Sequence, residues 1–193
     1  PLERRAVAES PPPSGTHINC GGGRTPWGSW LSCEETTNGP ARGYEQHHGY
    51  VFEVPIDATG PVDPVPLKDM GRMVHEAVAV DPRTGYVHLT EDMRWDPDDL
   101  RTMPGAGFYR FIPNQRERLA SGGRLQVLAV EGRPSYLTAI GQTPGTALDA
   151  VWVDLDQPDP PIAERDPSAL FRSAIYRGAA IFHRLEGCFH GDD

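Results

Sequence analysis

Trp27-Gly28-Ser29-Trp30-Leu31-Ser32-Cys33-Glu34-Glu35 reads as a short strand that ends on a thiol and two carboxylates. Trp30 to Cys33 is compatible with one half-buried strand. Gly21-Gly22-Gly23 and Pro26, just before it, mark the turn that feeds it. A Cys-Glu-Glu cluster at a strand end sets a soft sulfur donor beside hard oxygens. Such a set suits iron or zinc at the sulfur, with calcium at the spare oxygens. Alone, it also reads as a small buried cysteine followed by a solvated acidic turn. Its weight comes from recurrence along the chain.

Working outward, residues 1–15 mix charges with a proline run and carry no hydrophobic period, so they read as a tail or linker. Beyond the central stretch, Gly49-Tyr50-Val51-Phe52-Glu53-Val54 is a strand closed by Pro55. Val74 to Val80 forms another, joined through Asp81-Pro82-Arg83-Thr84-Gly85 to its return strand, Tyr86 to Thr90. That return strand again ends on acids, Glu91-Asp92, and Gly107-Phe108-Tyr109-Arg110-Phe111-Ile112 follows after a polar loop.

Two units are in step. Glu34-Glu35 and Glu91-Asp92 lie 57 positions apart, and the glycine-led strands at Gly49 and Gly107 lie 58 apart. Each unit runs strand, acidic pair, polar loop, aromatic-rich strand closed by proline. A third round is expected from Leu125-Gln126-Val127-Leu128-Ala129-Val130 through Ala150-Val151-Trp152-Val153. Repeats of short antiparallel strands at such a period are the sequence form of propeller blades. A sandwich gives many short strands too, but does not keep loop contents in step. The expected fold is therefore all-β, a β-propeller of which about three blades are legible, spanning residues 16–193. Ser168-Ala169-Leu170-Phe171-Arg172 offers one helical turn within an insertion, and Ala179 to Gly187 echoes the strand that begins at Val74. A propeller closes with at least ~4 blades, so the chain reads as part of a longer protein.

Composition agrees. The 21 glycines and 20 prolines among 193 residues argue against long helices. No apolar run approaches the ~20 residues of a membrane span. A net charge of −9 argues against nucleic acid as a partner. Three cysteines, Cys20, Cys33 and Cys188, leave at least one unpaired in any disulfide scheme.

Loops at one end of a propeller converge on its axis, so acids at equivalent places would share one pocket. Glu34, Glu76, Glu91 and Glu186 gathered without cations would raise one another's pKa. Metal ions remove that penalty, and Cys33 as thiolate would fix the most thiophilic of them. Multivalent cations beside an arginine suit a phosphate ester, and the fork of Arg184 can hold two phosphate oxygens. The plain alternatives are a turn cap for Glu91-Asp92, a packed His75, a solvated His47-His48 loop, and an Arg184–Glu186 ion pair. Cys20 and Cys188 read as small core residues, and Trp27 and Trp30 as packing. No glycine-rich phosphate loop precedes a helix, and no Ser-His-Asp order stands out.

Asn19-Cys20-Gly21-Gly22-Gly23-Arg24-Thr25-Pro26-Trp27-Gly28-Ser29-Trp30-Leu31-Ser32-Cys33-Glu34-Glu35 resembles the signature of the PhoX family of bacterial alkaline phosphatases. His48 to Val54, Met73 to Gly85 and Leu89-Thr90-Glu91-Asp92 follow in that family's order, and Phe182-His183-Arg184-Leu185-Glu186-Gly187 is similar to a later motif. The resemblance implies a propeller that hydrolyses phosphate monoesters with paired Fe3+ ions and Ca2+. It implies a bridging cysteine at Cys33, acidic ligands at Glu34, Glu76 and Glu186, a motif acid at Glu91, and a phosphate-binding Arg184. By the same resemblance the protein is periplasmic or secreted, and a monomer is expected. Family chains are longer and draw further ligands from later blades. A calcium-stabilised propeller that binds partners without catalysis is the rival, and a single-metal lactonase, which would not need Cys33, is a second.

Overall fold

A computed structural model describes residues 13–191, so residues 1–12 of the expected tail lie outside the described residues. Two antiparallel meanders carry the chain. The first is β1 (Asn19–Arg24), β2 (Ser29–Glu34) and β3 (Val51–Pro55). The second is β4 (His75–Val80), β5 (Val87–Glu91), β6 (Phe108–Pro113), β7 (Gly123–Val130) and β8 (Ala150–Leu155). Strands form where apolar residues alternate: Leu31 and Cys33 are buried, while Trp30, just before them, is exposed and Ser32, between them, is half-buried. Leu31, Cys33, Val78, Val80, Leu89, Tyr109, Phe111 and Val127 share one core, and Leu170 and Phe171 of α1 (Ala169–Tyr176) close it. That helix makes two turns where one was expected.

Three expectations need correction. Gly21-Gly22-Gly23 is not a turn but the body of β1. Glycine disfavours strands, yet here the missing side chains are what the packing requires. β1 lies against β4, and a Cβ on Gly21 would stand 2.6 Å from the Glu76 carbonyl oxygen, one on Gly23 2.1 Å from that of Val78. The two sheets thus meet backbone to backbone along their first strands. Second, Leu125–Val130 and Ala150–Val153 do not begin a third unit. The turn after β6 closes with Asn114 N–H donating to Gly122 O at 2.9 Å. This returns β7 to the free edge of β6, and β8 adds outside it, so the described residues form two sheets rather than about three blades. Third, Ala179 to Gly187 forms no strand; it crosses the second sheet through isolated bridges at Ala129–Ala179 and Ala106–Phe182.

The repeat is present in register as well as in sequence. Asn19 opposes Glu34 but Gly22 opposes Ser32, which leaves one extra residue in β1. His75 opposes Glu91 but Val78 opposes Leu89, which leaves one extra residue in β4. Both first strands therefore carry a bulge at the same place, and bulges re-aim side chains. Among the described residues no helix is long and apolar enough to cross a membrane.

Candidate metal centre

The bulge in β1 holds Cys20 and the one in β4 holds Glu76, and the seam between the sheets brings the two together. Cys20 Sγ–H donates to Glu76 Oε1 at 3.2 Å. Glu35, one residue past β2, joins them, so that one donor atom from each of the three lies within 4.8 Å of the others. Crowding sets the proton affinities. Burial, then the Glu76 and Glu35 carboxylates, push the Cys20 thiol up to about 11. Burial first, then Glu76 and Asp92, hold Glu35 above the usual carboxylate range. Cys33 lies behind the group, wholly buried, and its thiol is raised by burial first and then by Glu76, Cys20 and Cys188. A multivalent cation would reverse each of these shifts, because thiolate and carboxylate are the forms it binds. Donor atoms within 4.8 Å of one another are close to the span that metal–sulfur bonds of ~2.3 Å and metal–oxygen bonds of ~2.0–2.2 Å would bridge. One sulfur with two carboxylates fits a thiophilic cation such as iron or zinc, whereas calcium takes oxygen donors alone.

Glu34 and Glu91 occupy equivalent positions and do equivalent work, but not at this cluster. Glu34 Oε2 accepts from the N–H groups of Gly49 at 2.7 Å and Tyr50 at 3.2 Å, and its Oε1 meets His48 Nδ1 at 2.7 Å. Glu91 Oε2 accepts from Gly107 N–H at 2.9 Å and from Tyr109 O–H at 2.8 Å. Each carboxylate clamps the glycine-led start of the next strand. Strand alternation then turns the following residue, Glu35 or Asp92, the other way. His48, expected in a solvated loop, is buried because Glu34 lies beneath it, while His47 is exposed.

Glu91 Oε1 is buried without a hydrogen-bond partner, and burial raises this carboxyl from 4.5 to about 7. A raised folded-state pKa means stability that is full below pH 4.5 and is lost as pH climbs through 7. Glu91→Gln keeps both hydrogen bonds at the oxygen position and removes the charge. In metal-free protein it is expected to stabilise by about 3 kcal/mol at pH 8 and by nothing at pH 4, as urea unfolding will measure. A variant weaker than the parent at pH 8 would show that the ionised carboxylate is needed.

Asp92 leads from the cluster to Arg184. The guanidinium donates from Nε to Asp92 Oδ1 at 2.9 Å and from Nη2 to Oδ2 at 2.7 Å. This fork holds Asp92 below the ordinary carboxylate range. Glu186 Oε1 lies 3.6 Å from Nη2 and is largely exposed, so the expected pair exists but Asp92 is the main partner. Arg184 takes φ of +49°, a left-handed conformation uncommon outside glycine and held here by its N–H donating to Met93 O at 3.0 Å. His75 is wholly buried with Nε2 3.0 Å from Gly71 O, and burial lowers it to about 4, so it packs as a neutral ring.

Of the residues expected to bind metal, then, the structure brings Glu76 into the group, sets Cys33 behind it, engages Glu34 and Glu91 elsewhere, and leaves Glu186 beside Arg184. Glu35 was expected only as one acid of the Cys33-Glu34-Glu35 cluster and Asp92 only as half of an acidic pair, while Cys20, read as a small core residue, was not foreseen at the centre. Period-two alternation could have paired Cys33 with Glu35 and Thr90 with Asp92, and the glycine run is the signal for a close strand at Cys20.

A family model described as Alkaline phosphatase PhoX matches residues 3–192. No curated protein matches the chain. Among solved structures it is similar to Pseudomonas fluorescens PhoX in complex with vanadate, a transition state analogue, with a TM-score of 0.56 and 18% identity. That likeness covers 90% of this chain and 37% of the other, so the chain spans well under half of that relative's length. A match over nearly its whole length shows that the chain belongs to the PhoX alkaline phosphatase family.

Proposed function

We propose that the chain carries part of the active site of a metal-dependent phosphomonoesterase that acts on phosphate monoesters. The observation that supports it most is the convergence of Cys20, Glu35 and Glu76 from two sheets onto one point, with an Asp92-oriented arginine beside it. Cys20, Glu35 and Glu76 would hold a thiophilic cation, Fe3+ in this reading, with the Cys33 thiol behind them as a further sulfur donor, and Ca2+ would take nearby oxygens. Bound there, such ions neutralise phosphoryl oxygens and lower the proton affinity of water.

The chain's own residues do the rest. Asp92 occupies two of the five N–H donors of Arg184 and so fixes the plane of the fork, leaving the Nη1 edge to receive an anion. Arg184 thereby contributes charge at the oxygens of the transferring group, and Asp92 orients it. The propeller is part of this proposal, supported by two outward-running meanders whose first strands meet through glycine. Export to the periplasm or medium and a monomeric state complete the reading, both by family resemblance.

Elemental analysis of the intact protein together with p-nitrophenyl phosphate hydrolysis tests it. Iron with calcium and turnover is the expected result. Calcium alone without turnover would favour a binding module instead. Arg184→Lys is expected to raise KM about tenfold with a smaller change in kcat, because an ammonium cannot grip both Asp92 and an anion. An unchanged KM would remove Arg184 from the site.

A further inference from the structure

A hollow of about 450 Å3 opens beside Arg184, with Asp92, Arg94 and Met103 in its walls. A second, of about 540 Å3, is lined by Arg101, Arg165 and Arg172 with Asp166. Met93 and Thr102 belong to both walls, so the two form one groove running away from the metal centre. The three arginines of the far end differ in their employment. Arg172 donates from Nε to Asp166 Oδ2 at 3.0 Å and through its other nitrogens to the carbonyls of Leu100 and Arg101, which makes it a pillar of the wall. Arg101 and Arg165 have neither a side-chain hydrogen bond nor a carboxylate within 4.0 Å among the described residues, and both are exposed. Asp96, Asp98 and Asp99 lie on the same loop, but Asp99 is engaged with Thr102 and none of the three lines the groove. On a chain of net charge −9, Arg101 and Arg165 set two uncommitted cations at the far end of this groove, and Arg94, exposed in the nearer wall, adds a third positive charge along it.

We infer that Arg101 and Arg165 form a leaving-group subsite that favours phosphate monoesters bearing a second anionic group, a carboxylate or another phosphate. This rests on the phosphatase reading above. With the phosphoryl group at the Arg184 end, the adjoining hollow gives the rest of the ester a path toward these guanidinium groups. They would recognise a planar carboxylate or a phosphate by paired N–H donors. The contribution is a selectivity, since both arginines are solvent-facing and the attraction is screened by salt.

Two matched pairs of compounds test it on the intact, metal-loaded protein. Calorimetry compares phosphonoacetate with ethylphosphonate, which differ by a carboxylate and are not hydrolysed. Turnover compares 2-phosphoglycerate with glycerol 2-phosphate, which differ in the same way. The expected result is about a fivefold to tenfold preference for the carboxylate-bearing member in both comparisons, shrinking in 0.5 M salt. In the double variant Arg101→Gln, Arg165→Gln the preference should fall to about one while p-nitrophenyl phosphate turnover is kept. Equal binding of the two phosphonates by the parent, or a preference retained by the double variant, overturns the subsite alone. Binding of neither phosphonate overturns the subsite and the phosphatase reading together.

Discussion

Glu76→Gln will empty the metal centre while leaving the fold intact or firmer. The Cys20 thiol donates to Glu76 Oε1, and a glutamine oxygen accepts the same hydrogen bond in the same place. What disappears is a buried negative charge that pushes up Cys20, Cys33 and Glu35. Without a cation that charge is a cost, so metal-free Glu76→Gln should unfold at the same or higher urea concentration than metal-free parent. With a cation it is a bond, so the variant should lose iron by more than the roughly 10–100-fold that outer partners of a metal ligand contribute, and phosphatase turnover with it. The two halves move in opposite directions, which a merely structural carboxylate cannot do. Retained iron and retained turnover in a folded variant would show that the cation, if one binds, sits elsewhere.

Gly23→Ala will damage stability and metal binding together. Alanine is ordinarily the better residue in a strand by about 0.5–1 kcal/mol. Here its methyl carbon would stand 2.1 Å from the Val78 carbonyl oxygen, backbone that no rotamer change can move aside. The first strands must part, and a loss of about 3 kcal/mol or more is expected by thermal or urea unfolding. The same displacement separates Cys20 on β1 from Glu76 on β4, so residual folded protein should bind iron more weakly. Gly132→Ala is the control: its Cβ meets nothing within 4 Å, although its φ of +68° carries its own smaller strain. A Gly23→Ala protein as stable as the parent would mean that the seam has room to spare.

Where most strands lie is legible in the order of residues alone, because alternation and turn chemistry are local. So is the repeat of two units, since the acid pairs and the glycine-led strands keep step at 57 and 58 positions. The family signature was legible for the same reason, as a run of residues in order. Which member of each acid pair faces the metal centre was not local. Glu34 and Glu91 turn to the glycine N–H groups of the following strand, 15 or 16 residues away, so Glu35 and Asp92 are left for the seam. Cys20 entered only because three glycines let two backbones approach to a distance that no side chain would allow. Pairing partners of β7 and β8 were equally invisible, since a strand's neighbour depends on which edge is free when the chain returns. Local patterning names the elements; contacts between distant backbones choose which donors meet.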